Sequence, residues 1–439
     1  MKNKAFLIVS MFVILIVKNS NSQDPRNTIS EKFSAKVLID SLNIALFNNY
    51  IFPEKSAEIS AHLNKQLEKS VYQKFTDPRK LAEQIQSDIN AVHRDGHLRI
   101  NYNPDLQKEL LKPLVEQSGI DSSMLKNQIK TNFSFKRVEI LGGNIGYVEF
   151  TGFSGFVEQA KPTISSAFRF LSNSDAIIID LRKNGGGSPW MVKHIASYFV
   201  IEKTRLNDIY DRRAGKTGEF WADPEEADNM KLSMPLYILT GKHTFSAAED
   251  FTYAMQVNKR ALIVGDTTGG GAHPTGPVSL GQGFVADIPF ARSINYITQK
   301  DWEGTGVMPD VPVAEDQALI KAQKIIFSER QAKAANEAQK KNFEWFLSAL
   351  DAHDYDNTIS DEVLESYAGE FDNFSTFVKD NRLYLNDFLG RTFLLKPISR
   401  NLFLGDDWFQ VEFLSESGKV SGLKMLGKAG WEDIYPRTK

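Results

Sequence analysis

The spacing of apolar residues changes along the chain, and each change marks a boundary. From Ser30 to Val92 the sequence reads as mostly helical, with Leu63, Leu67 and Leu81 in amphipathic settings and turn signals at Asn48-Asn49, Pro53 and Asp77-Pro78. That predicts a small helical domain. After Arg94-Asp95-Gly96-His97 the period drops to two, at Leu98, Ile100 and Tyr102, which predicts a strand and leaves His97 on a turn just past a helix. From Ile145 onward strands alternate with helices: strands at Ile145–Phe150, Ala176–Asp180, Pro235–Leu239 and Ala261–Val264, helices at Val157–Leu171, Pro189–Phe199 and from Ala247. This alternation predicts an α/β core whose ligands gather in loops beyond the strand ends. The stretch Ile201–Met234 reads as a charged, irregular insertion. Gln317–Leu350 reads as a charged helical spacer, and beyond Leu364 short, evenly spaced strands predict a small all-β domain.

One junction in this pattern can carry chemistry. The apolar run Pro235–Leu239 ends in the turn Thr240–Thr244, and a helical pattern begins at Ala247, with Ala247, Phe251, Ala254 and Met255 on one face. Ser246 therefore stands at a helix start, where unpaired backbone N–H groups point at whatever its oxygen attacks. The same position is also an ordinary N-cap site, with Glu249 completing a capping box. Read alone, the stretch favours the cap.

Composition narrows the classes. The 439 residues are enough for roughly two or three domains, and a net charge of −3 with no basic stripe argues against a nucleic-acid role. Cysteine is absent, which excludes disulfides, cysteine nucleophiles and thiolate metal sites. No HExxH or comparable His–carboxylate spacing is present, so no metal or other cofactor is expected. Residues 1–22, with Lys2 and Lys4 before the apolar run Ala5–Val17 and a polar small-residue end, read as a secretory signal peptide, too short to span a bilayer. No cysteine follows the run to carry a lipid, so a periplasmic or secreted location without a stable membrane anchor is expected.

A serine needs a base and oxyanion donors. Of the seven histidines, His62 and His353 read as solvated and His194 as packed in a helix, and His243 is too close to Ser246 along a tight turn. His97, with His93 one helical turn before it, and His273 remain. The loop Gly185-Gly186-Gly187 after a buried strand offers backbone N–H groups at close approach, but matches neither a P-loop nor a dinucleotide fingerprint.

The motifs Asp95-Gly96-His97, Gly146–Phe150, Ile178–Gly187, Thr244–Glu249, Gly265–Gly271 and Glu303–Asp310, taken in order, resemble the tail-specific (C-terminal processing) serine peptidase family. Within it they are most similar to the tricorn-core and interphotoreceptor retinoid-binding-like branch. The resemblance covers roughly His97 to Val313. It implies a crotonase/ClpP-like spiral β-α core with Ser246 as nucleophile. One branch of the family pairs this serine with a lysine, but the matching position is Gly271, inside Gly269–Gly271. The other branch uses a histidine and a later glutamate, which match His97 and Glu303. The resemblance further implies oxyanion donors at Ala247 and in the glycine loop, Gly186 being the choice, with Gly185, Gly187, Gly270 and Gly271 as substrate-loop candidates. Gly96 stands where tricorn-type sites carry a serine, and the stretch from His97 to Gly143 is too short for a PDZ domain.

The expected organisation is a signal peptide (1–22), a helical domain (23–95), an α/β peptidase core (96–315), a helical linker (316–360) and a small β-rich domain (361–439). The expected function is hydrolysis of peptide bonds in a protein or peptide substrate through an acyl-enzyme on Ser246. The retinoid-binding relatives imply an alternative, a non-catalytic carrier of a hydrophobic ligand, and the same acyl-transfer machinery would also serve an esterase or amidase.

Overall fold

A computed structural model describes residues 33–112, 122–354, 359–428 and 430–439, so the expected signal peptide lies outside the described residues. The chain divides into two compact units, one up to Ala318 and one from Leu319 to Lys439.

In the first unit the helical stretch folds as three helices, Ala35–Asn49, Pro53–Glu68 and Pro78–Val92. The third starts where the sequence signals it: the Asp77 side chain accepts the Arg79 N–H and Pro78 occupies the first turn, where its missing N–H costs nothing. Leu38, Leu42, Leu63, Leu81 and Ile85 from these helices are buried together with Phe284, Ala286 and Ile288. Those last residues belong to an antiparallel sheet in which Phe284–Pro289 pairs with both Arg99–Tyr102 and Thr275–Gly281. The helices therefore share a core with strands from far along the chain.

The central sheet has six strands, in the order Val311–Pro312, Ala261–Gly265, Leu236–Thr240, Ala176–Asp180, Ile145–Phe150 and Phe135–Leu141. All neighbours are parallel except the last pair. Ile177, Ile178 and Ile179 have no exposed surface, as a central strand covered on both faces requires. Ile177, Ile179, Leu236 and Ile238 pack with Ile164, Phe168, Ile195 and Phe251 from the crossover helices. The register sets Ile179 against Ile238 and Asp180 against Leu239, so the loops leaving these two neighbouring strands start side by side. That is where the glycine loop and the Ser246 turn lie.

The stretch expected to be irregular contains short strands. Asn207–Asp211 pairs with Ala291–Asn295 and with Lys216–Gly218. Its two buried residues, Asn207 and Asp208, are consecutive and polar, so no apolar alternation marks it in the sequence.

In the second unit, helices Ala318–Ala332 and Glu337–Asp354 precede a short helix, Asp361–Tyr367, and an eight-stranded antiparallel meander from Gly369 to Pro436. Thr438 donates its N–H to the Glu370 carbonyl, and Glu370 donates back to the Lys439 carbonyl. The sheet thus nearly closes on itself around Phe371, Leu385, Phe403, Val411 and Leu423. Among the described residues no helix is long and apolar enough to cross a membrane.

Candidate active site

The turn before Ser246 is stitched to the glycine loop. Thr244 donates its hydroxyl to the Leu181 carbonyl at 2.8 Å and accepts the Gly241 N–H at 3.0 Å. The Phe245 N–H donates to the Asn184 carbonyl at 3.0 Å. Ser246 follows with φ +56° and ψ −121°, an unfavourable conformation for a residue with a Cβ. Such strain costs on the order of 1–3 kcal/mol and persists where surrounding contacts fix it. It is also how a serine is presented at a sharp strand-to-helix turn.

Glu249 supplies those contacts. It is fully buried, and its carboxylate accepts the N–H groups of Ser246 (2.8 Å), Gly270 (2.7 Å) and Gly271 (2.8 Å) and the hydroxyl of Thr268 (2.5 Å). Burial drives its acid up to about 7 against the pull of these four bonds. One carboxylate therefore fixes both the serine backbone and the loop Gly269–Gly271.

The donors around Ser246 divide cleanly. Gly186 donates its N–H to Asn184 Oδ1 at 2.9 Å, while Asn184 Nδ2 holds the Phe150 carbonyl. Gly187 N–H and Ala247 N–H have no partner among the described residues. Both residues line, with Ser246 and Gly271, a cavity of about 30 Å³ that Gly186 does not line. Gly186 has another task. A Cβ there would lie 2.6 Å from the Phe245 carbonyl oxygen, 2.8 Å from Ser246 Cβ and 2.9 Å from Ala247 N, at φ +96°. Only glycine lets the loop come this close. Gly186→Ala is expected to cost about 1–3 kcal/mol of stability, read from the shift of the denaturation midpoint. Gly185 has open space around its Cα, so Gly185→Ala is the matched control.

His97 lies beside this cluster without bonding to Ser246 in this structure. Its ring stacks on Phe245, centroids 4.7 Å apart. Nδ1 is buried without a partner, and burial pushes the imidazole down to about 4, so the ring is neutral. A Cβ at Gly271 would lie 2.6 Å from His97 Cε1 and closer still to the Phe245 ring. A side chain at that position, lysine included, has no room while these rings are in place.

Glu303 sits behind the same turn. Its Oε2 accepts the Ala272 N–H at 2.6 Å and its Oε1 accepts the Gly96 N–H at 3.4 Å. Its nearest histidine nitrogen is His273 Nδ1, at 3.3 Å. The same Nδ1 hydrogen-bonds Asp95 Oδ2 at 2.9 Å, and Tyr50 donates to that oxygen at 3.0 Å. Burial works against both charged forms of this pair. The bond and the opposite charges outweigh it, holding Asp95 below and His273 above their ordinary ranges. Asp95, His273 and Glu303 bring their ligand atoms within 4.8 Å of one another, but backbone N–H groups already occupy oxygens of both carboxylates, which leaves a poor donor set for a cation. The sequence reading missed Asp95 and Tyr50 as parts of the site, because a buried acid and a buried tyrosine carry no local signature.

Two family models match in sequence order: residues 30–141 match the "N-terminal domain of Peptidase_S41 in eukaryotic IRBP" and residues 144–313 match "Peptidase family S41". The chain belongs to peptidase family S41. It is 30% identical over 182 residues to the chloroplastic carboxyl-terminal-processing peptidase 2 of Arabidopsis thaliana, covering 38% of this chain and 32% of that protein. It is 31% identical over 183 residues to the carboxyl-terminal-processing protease of Synechocystis, covering 41% and 40%. The chain thus spans about a third to two fifths of the length of these relatives. A solved putative peptidase from Parabacteroides merdae is 21% identical, with a TM-score of 0.46 over 67% of this chain and 93% of that one.

Proposed function

We propose that the protein is a serine peptidase that cleaves peptide bonds in protein or peptide substrates through an ester on Ser246. The observation that carries this reading is the strained Ser246 backbone, held by Glu249, with the unpaired N–H groups of Ala247 and Gly187 beside it in one small cavity. The Ser246 hydroxyl oxygen attacks the substrate carbonyl carbon and passes its proton to His97 Nε2. Ala247 N–H and Gly187 N–H receive the oxyanion. The C–N bond then breaks as His97 returns the proton to the leaving amine, and water hydrolyses the ester by the same route. Glu303 orients His97. The unpaired Nδ1 is the atom that needs an acceptor, and Glu303 already holds the N–H of the adjacent Gly96. Substrate binding draws His97 off Phe245 and Glu303 onto Nδ1. With residues 1–22 acting as a signal, this chemistry takes place outside the cytoplasm.

One observation favours a second base: Glu303 lies on His273, not on His97. Neither imidazole lines the Ser246 cavity, but His273 Nδ1 is tied to Asp95, whereas the His97 ring makes no hydrogen bond among the described residues and stacks on Phe245, the residue next to Ser246. A carrier of hydrophobic ligands is not favoured, since the cavity at Ser246 is far below the several hundred Å³ such ligands occupy.

The test is labelling by a fluorophosphonate followed by peptide mass spectrometry, with the adduct expected on Ser246. Absence of an adduct at pH 7 overturns the reading. The pH profile adds a second expectation. His97 must be neutral to act as base, so the limb of kcat/KM that it sets, which reports the free enzyme, should lie at about pH 4, well below any step from protonation of Glu249 at about 7. The acid limb of kcat should lie higher, because Glu303 pairs with the imidazole only in the complex.

A further inference from the structure

We propose that Asp250 selects the substrate residue that precedes the scissile bond, accepting a hydrogen bond from a small hydroxyl-bearing side chain, threonine or serine, at the end of the cavity beside Ser246. The inference rests on Ser246 being the nucleophile.

Asp250 follows Glu249 on the helix, but the two carboxylates face different ways. Glu249 holds the Gly269–Gly271 loop, while Asp250 lines the cavity with Ser246, Pro189, Ile209, Pro274 and Trp302. Asp250 is 8% exposed and no cation pairs with it among the described residues. A carboxylate in such a place is expensive unless something needs it. Burial raises its acid to about 6, with one hydrogen bond from Asn207 opposing the shift.

That bond has a fixed direction. Asn295 Oδ1 accepts the N–H groups of Ile297 and Thr298, both at 3.0 Å, so its amide nitrogen turns toward Asn207 and donates to Asn207 Oδ1 at 2.7 Å. Asn207 must then present its own nitrogen to Asp250 Oδ1, at 2.6 Å. Asn207 and Asn295 face each other in one antiparallel pair, so the backbone register holds the relay. Backbone donors thus set the orientation of two amides, and the result is a carboxylate with one oxygen tied. The other oxygen has no partner among the described residues. It is an acceptor on a cavity whose other polar side chains are the hydroxyls of Ser246 and Ser293, the remaining walls being apolar or glycine.

The cavity is small, about 30 Å³, and admits a methyl or hydroxymethyl group. A hydroxyl placed there donates to the open oxygen. An isosteric methyl leaves the carboxylate dry and unpaired, which sites built to bind a hydroxyl reject strongly.

The test uses peptidyl diphenyl phosphonates that differ only in the side chain next to phosphorus, scored by the rate at which each blocks fluorophosphonate labelling of the full chain. The threonine analogue is expected to react roughly 10–100-fold faster than the valine analogue, with serine above alanine and leucine slowest. In Asp250→Asn the relay holds the new Oδ1 and the amide nitrogen faces the cavity; this neutral donor meets a hydroxyl less strongly than the carboxylate accepts from it, so the Thr:Val ratio should fall several-fold. Should that variant fail to fold by thermal melt, the Thr:Val and Ser:Ala ratios of the unaltered protein decide the matter. Labelling of Ser246 with valine equal to or better than threonine overturns this inference alone, as does a ratio that Asp250→Asn leaves unchanged. No labelling of Ser246 at all overturns the serine reading and this inference with it.

Discussion

Ser246→Ala is expected to lower kcat/KM for peptide cleavage by roughly 10⁴-fold or more and to abolish fluorophosphonate labelling, with the melting temperature nearly unchanged. The hydroxyl is the only group removed. The backbone N–H that Glu249 holds remains, so the strained turn and the donors of Ala247 and Gly187 stay in place. His97→Ala should cost a similar factor, and the double variant little more, because a nucleophile without its base is already disabled. The comparison with His273→Ala decides which imidazole is the base. His273 joins Asp95 and stands against Glu303, so its removal leaves buried acids unpaired and should lower stability. Near-full activity in His97→Ala with loss in a folded His273→Ala would move the base role to His273.

Period and turn chemistry made much of the fold legible. The isoleucine run before Asp180, short and β-branched, reads as a buried strand, and Asp77-Pro78 marks a helix start without any structure. The strand Glu432–Pro436 was not legible, because on an exposed edge its side chains alternate in nothing that burial would impose. Asn207–Asp211 was hidden for the opposite reason, its buried positions being polar. At the site the sequence pointed to residues but not to which atoms are free. The sequence points to Gly186 for the oxyanion without separating it from its neighbours, because three glycines in a row look alike. The Asn184 side chain, which occupies the Gly186 N–H and leaves that of Gly187 open, distinguishes them in space. The proximity of Glu303 to His273 is equally invisible, since it depends on how loops about thirty residues apart fold over Asp95.

Glu249 is the residue whose replacement should damage fold and site together. In Glu249→Gln one end of the side chain becomes an amide nitrogen. Whichever way it turns, that nitrogen meets backbone N–H donors: those of Ser246 and Gly271 on one side, or that of Gly270 on the other. Leaving such buried donors unpaired costs about 1–3 kcal/mol each, so the variant should lose about 2–5 kcal/mol and melt roughly 5–10 °C lower. The reach of the damage separates Glu249 from a simple helix cap, whose loss typically costs about 1 kcal/mol. Because the same carboxylate oxygen holds Ser246 and Gly271, the serine backbone should relax and the loop beside His97 should shift with it. Labelling at a temperature where the variant is still folded should therefore fall by roughly 10²-fold or more, the penalty of misplacing a reacting group by about 1 Å. A variant that melts lower but labels at the normal rate would reduce Glu249 to a cap and leave the strain at Ser246 to be maintained by the Thr244 and Phe245 contacts alone.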